Sequence, residues 1–168
     1  MQRRAMLIAA VAAPLAGCSR AEVRTFPTLA SAMHAIEALS KGHFKDGRWS
    51  LPQMLQHAAQ SVEYSIDGYP QKKSGLFRAT VGAAAFAVFD ARGVMAHALD
   101  EAIPGAPALD ADAPLAASIA RALAALRRFE AHGGTLAPHF AYGAIDKAQY
   151  TRAHLMHLAN HWSEVKRT

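Results

Sequence analysis

Apolar residues recur every three to four positions in five separate stretches of the chain, the periodicity of helices that bury one face. After Pro27, residues Leu29, Met33, Ile36 and Leu39 form the first stripe, and Gly42 stops it. His34 reads as a surface residue, and the following loop KGHFKDGRW, rich in glycine and charge, reads as a connector. A second helix opens at Ser50 as N-cap, with Leu51 and Pro52 in its first turn. Its core face is Met54, Leu55, Ala58 and Val62, while His57, Ser61 and Tyr64 line one flank. DGYPQKKSG ends it, and Leu76 to about Val88 predicts a third helix whose Gly82 and alanines permit close helix contact.

Residues 97–114, HALDEAIPGAPALDADAP, form the longest irregular segment, since Pro104, Pro107 and Pro114 forbid regular helix. Such a segment either covers the mouth of a site or crosses between distant helix ends. A fourth helix follows from about Leu115 to Ala131, with Ile119, Leu123, Leu126 and Phe129 as its stripe and His132 closing it. LAPHFAYG then leads to Asp146, the N-cap of the last helix, and His139 within it reads as a loop anchor within approach of the site. The fold class expected is all-α.

The last helix carries the chemistry. In HLMHLANHWSE, a helical turn of about 100° per residue puts His154, His157, His161 and Glu164 within one arc of roughly 80°. Leu155, Leu158, Trp162 and Val165 occupy the neighbouring arc, so burying the apolar face turns the histidine stripe toward the core. Imidazoles are costly there unless something binds them. His157 and His161, four apart, can converge on one ion, and His57 is the third nitrogen the sequence offers. With nine histidines in the chain, spacings of three or four also arise without function, and a lone histidine on an apolar face is commonly a satisfied core residue. His97, before the irregular segment, is a further possible ligand.

The pairing of W-x(7)-H around the second helix with H-x(3)-H-W on the last resembles the DinB-like metal-binding four-helix bundles. More closely, the chain resembles a bacterial domain family of unknown function, family 1569, within that superfamily. The matching stretches are WSLPQMLQHAAQSVEYSIDGYPQ, IPGAP, LAPHFAYG and HLANHW, in an order and spacing that run from about residue 26 to 165. The resemblance implies a DinB-like bundle over residues 27–168 with extra short helices or loops, and a divalent ion on His57, His157 and His161. Many relatives read HLDHHLRQF where this chain reads HLANHWSEV, so the roles of those missing side chains do not carry over.

Composition adds a location. Residues 1–18, MQRRAMLIAAVAAPLAGC, have a basic start, an apolar run of about eleven residues and small residues before a cysteine, the layout of a signal peptide. LAGC matches the bacterial lipobox, making Cys18, the only cysteine, a lipidation site, with residues 19–26 as a tether. Ser19 after it points to the outer membrane. Arg3 and Arg4 fit either ordinary secretory export or a degenerate twin-arginine signal. The full chain carries a net charge of +5, and without Arg3 and Arg4 it falls to +3. Lys45, Arg48, Lys72, Lys73, Arg78, Lys166 and Arg167 are scattered, which excludes nucleic-acid binding by any patch or reading motif.

Three neutral imidazoles suit zinc, nickel or ferrous iron and leave positions open for water or a small-molecule substrate. Glu164 on the same stripe is a candidate general base or hydrogen-bond acceptor. His154, Tyr64 and His139 are candidates for an extra ligand or for orienting one, and Asn160 points off the stripe. The chemistry expected is a metal-dependent transferase or hydrolase acting on a small molecule. A non-catalytic envelope protein that binds a metal or ligand is the second reading, and a metal-free bundle the third.

Overall fold

The computed structural model describes residues 25–168. The expected leader, Cys18 and all of the tether before Thr25 lie outside the described residues. The chain is all-α in class, with five helices and one two-stranded ribbon among the described residues. Helix α1 is Leu29–Ala38, extended by a 3₁₀ turn at Leu39–Lys41, and α2 is Leu51–Asp67. Helix α3 occupies residues 75–92, α-helical at Gly75–Phe77, π-helical at Arg78–Gly82 and α-helical again at Ala83–Arg92. Helices α4 and α5 are Leu115–Ala131 and Lys147–Trp162.

Three helix starts are fixed by reciprocal caps. Thr28, Ser50 and Asp146 each accept the backbone N–H three residues on, and Ser31, Gln53 and Gln149 return the bond to the cap backbone. A cap of this kind is worth about 1 kcal/mol and, more usefully here, sets the rotational phase of the residues that follow. In α2 that phase buries Leu51, Met54, Leu55, Ala58, Ala59 and Val62 together with His57 and Ser61.

One core unites α1, α2, α4 and α5. Ile36, Leu39, Leu55, Phe129 and Tyr150 are its large, fully buried side chains. Each such apolar burial contributes about 1.5–3 kcal/mol. Helix α2 packs along α4 over most of its length and also against α5, so it sits at the centre. Ion pairs Arg121–Glu63 and Arg128–Asp67 link α4 to α2 at the surface, where such pairs are worth at most about 1 kcal/mol each. Phe26, assigned to the tether by its position in the sequence, is buried in this core, with its ring edge-on to Trp162.

Two expectations are corrected. The loop after Gly42 is more than a connector: Phe44–Lys45 form strand β1, antiparallel to β2 at Lys166–Arg167. The chain end returns to pair there, which no local pattern announces. The alanine-rich α3 does not pack tightly on a neighbouring helix along its length. Leu76, Val81 and Val88 are 77%, 59% and 49% exposed, and Phe86 alone among its residues after Gly82 is buried. Gly82 does serve close approach, but to a loop: a Cβ there would lie 1.8 Å from the Ala141 carbonyl oxygen. Among the described residues, no helix is long and apolar enough to cross a membrane.

Candidate metal centre

His57 projects from the middle of α2, and His157 and His161 from consecutive turns of α5, which packs on α2. His57 thereby meets a pair of histidines a hundred positions further along the chain. His57 Nε2 lies 3.0 Å from His157 Nε2, and His161 Nε2 lies 3.2 Å from the same atom. The three potential ligand atoms all fall within 4.8 Å of one another. Nitrogens bonded at about 2.1 Å to one ion stand about 3.0–3.2 Å apart when the angle at the ion is about 90–100°, so the two spacings at His157 Nε2 are those of ligands to one cation.

An imidazole nitrogen has a single in-plane position, so His157 Nε2 can serve its two neighbouring ring nitrogens at once only through a shared, bifurcated contact. One cation between the three rings would take all three lone pairs. Burial pushes His57 down to about 4 and His161 to about 3, with the nearby histidines adding to the effect. Burial, then the charges of His57 and His161, hold His157 well below its ordinary value. All three are therefore neutral at pH 7, the form that ligates metal. His57 Nδ1 is buried without a hydrogen-bond partner among the described residues, so none of them orients that ring from behind.

Packing orients it instead. The Trp49 ring stacks on His161 at 5.5 Å and 10°, and tilts against His57 at 4.8 Å. Trp49 is held in place from an unexpected direction. Helix α5 ends at Trp162, so Glu164 lies in the turn beyond it and not on the helical stripe. Its carboxylate accepts from the Arg48 backbone N–H at 2.9 Å and pairs with the Arg48 guanidinium at 3.5 Å. Glu164 is thus a latch for the loop that carries Trp49, and its expected place on the helical stripe is corrected: it stands in the turn beyond the helix.

The other candidates separate. His97 packs on His157 and His161 with ring centroids 4.9 and 5.3 Å away, but its nitrogens lie outside the converging set. Its Nδ1–H donates to the Ala98 carbonyl at 2.7 Å, and Asn160 donates to the His97 carbonyl. His154 is buried between Phe129 and Tyr150, outside the trio, with its Nε2 unpartnered and burial lowering it to about 3. Tyr64 is two turns beyond His57; it faces Tyr69 at 5.8 Å and does not line the site. His139 anchors its loop as expected, and it also borders the cavity beside the trio.

That cavity is about 220 Å³ in volume, and His57 and His157 form part of its wall. Phe77, Met95, Ile103 and Phe140 make it largely apolar, and His97, Glu101 and Ile103 come from the irregular segment, which forms part of the wall. Sequence reasoning did not find what holds this segment. Three glutamines of α2 stitch it down: Gln53 to Leu109, Gln56 to both backbone groups of Asp110, and Gln60 to Pro107. Their spacing, one helical turn or less apart on a helix otherwise buried, is the only signal in the sequence.

No curated protein matches the chain, and no solved structure does. Over residues 19–168, everything in the sequence after the expected lipobox, the chain matches the family described as "Protein of unknown function (DUF1569)", and it belongs to that family.

Proposed function

We propose that this protein is a divalent-metal-binding lipoprotein of the bacterial envelope. Its ion, zinc, nickel or ferrous iron, is held by His57, His157 and His161 and serves a transferase or hydrolase reaction on a small molecule in the adjoining cavity. The observation that carries the reading is the double contact of His157 Nε2 with two other imidazole nitrogens. A bound ion would supply Lewis acidity. The chain's own contribution is to keep the imidazoles neutral by burial, to fix two of the rings with Trp49, and to limit water through the glutamine-pinned segment. Helices α1, α2, α4 and α5 around one core are proposed as a DinB-like four-helix bundle, with α3 and the ribbon as additions.

Elemental analysis of untagged protein tests the reading: one equivalent of metal in the wild type, and well under a tenth in His157→Ala with helicity retained. Equal metal contents in the two proteins would refute it. Glu164, the candidate base, is engaged by Arg48, and this favours a second reading in which metal or ligand is bound without turnover. An activity screen with small esters and amides separates the two: His161→Ala abolishes turnover under the first reading, and no turnover exists to abolish under the second. The envelope anchor rests on Cys18, so a Cys18→Ser protein should lose metabolic labelling by palmitate.

A further inference from the structure

Another stretch of the cavity wall is built by the loop between α4 and α5. His139 and Gly143 form an isolated antiparallel bridge, and within it the backbone N–H groups of Ala141 and Tyr142 both donate to His139 Nδ1, at 3.1 and 3.2 Å. A nitrogen that accepts two N–H groups carries no proton of its own. The ring is therefore the neutral tautomer with its hydrogen on Nε2, fixed by backbone geometry. Tyr142 stacks on one face at 4.1 Å and 6°, which locks the ring plane. His139 is 8% exposed and lines the cavity, and among the described residues its Nε2–H has no acceptor. His154, 5% exposed and bordering the same cavity, presents a buried Nε2 without a partner among the described residues. A buried unpaired atom such as His154 Nε2 calls for a partner, and the His139 Nε2–H is left free to donate to one.

We infer that His139 is the carbonyl-recognising group of this cavity, its Nε2–H donating to the oxygen of a small uncharged ketone, amide or ester whose apolar body rests on Phe77, Met95, Ile103 and Phe140. A carboxylate is disfavoured because a neutral imidazole brings no charge to offset its desolvation, and the Lys73 and Glu101 that also border the cavity cancel. Burial, together with the nearby His154, pushes His139 down to about 3, so it stays a donor throughout the physiological range. The cavity, at about 220 Å³, is below the roughly 300–1,000 Å³ of drug-sized sites and so selects compact ligands. A fixed neutral donor polarises a carbonyl without giving up its proton. The inference names the substrate class for the metal site proposed above and rests on that reading for its catalytic use, though not for binding.

The test uses cyclohexanone labelled with ¹³C at the carbonyl, added to full-length protein either metal-free in chelator or loaded with zinc. Expected are an Nε2–H signature for His139 in ¹⁵N spectra from pH 6 to 8 and a downfield carbonyl shift on binding. His139→Phe weakens the probe roughly tenfold, as loss of one hydrogen bond in a buried site does, with zinc content unchanged. His139→Gln, whose amide also offers an N–H, recovers part of the loss. An Nδ1–H signature, no binding by the wild type, or full-strength binding by His139→Phe overturns the inference. The wild-type spectra decide even where the Phe variant fails to fold. Failure to bind zinc would leave the chelated measurement intact and count against the metal reading alone.

Discussion

Replacing His154 by leucine should make the protein more resistant to acid. His154 is 5% exposed, its Nε2 has no partner, and burial holds it near 3. In the unfolded chain an imidazole titrates near 6.5. Between these values the unfolded state binds a proton that the folded state refuses, so stability is complete above about 6.5 and drains away as pH falls toward 3. At pH 5 the loss for one such group is RT ln(1 + 10^1.5), about 2 kcal/mol. The assay is urea unfolding followed by far-ultraviolet circular dichroism at pH 7.5 and pH 5, in chelator so that metal does not contribute. Wild type and His154→Leu should unfold with the same dependence on urea, and the variant should lose about 2 kcal/mol less between the two pH values. A pH-dependent loss identical in both proteins would show that His154 is either accessible or already charged, and the argument from burial would fall with it.

Three further outcomes follow from the packing. Gly82→Ala should destabilise by about 1–3 kcal/mol in urea, although alanine favours helix, because its Cβ meets the Ala141 backbone and that loop has to move. Gln56→Ala removes both bonds to the Asp110 backbone, so hydrogen exchange at the Asp110 amide should accelerate about tenfold, with exchange in the α4 core unchanged. Zinc affinity should hold from pH 7.5 to about 5 and fall as pH approaches about 4, where His57 begins to take up a proton in competition with the ion; a fall that sets in at 6.5 would show that the ligands titrate as exposed imidazoles and refute the buried site.

How much of this was legible in the sequence depended on whether the cause was local. The limits of α2 and α4 were, because Ser50 with Pro52 and the run Leu115 to Ala131 announce themselves within a few residues. The His157–His161 pair was legible for the same reason, as a property of one helix. His57 required a second signal, the spacing pattern shared with a family, because nothing on α2 alone tells which flank faces α5. Glu164 was misplaced since the helix ends at Trp162, where the chain turns to pair with Phe44 and Lys45, a contact across more than a hundred residues. The alanines of α3 were misread because small residues permit close packing without requiring a partner, and most of that face meets none. The tautomer of His139 lay wholly beyond sequence, being decided by two backbone amides in a turn.

The ribbon has a practical side. Thr168 donates its backbone N–H to the His43 carbonyl, and Lys166 lies opposite Lys45, so the last residues are woven into the loop that carries Trp49. Trimming the final five residues would remove both the strand and the Glu164 carboxylate, releasing the indole from His161 without touching any of the three histidines. A polyhistidine handle fused at that end would crowd the same loop while bringing its own imidazoles within reach of the centre, and metal counts taken on such a protein would report the handle.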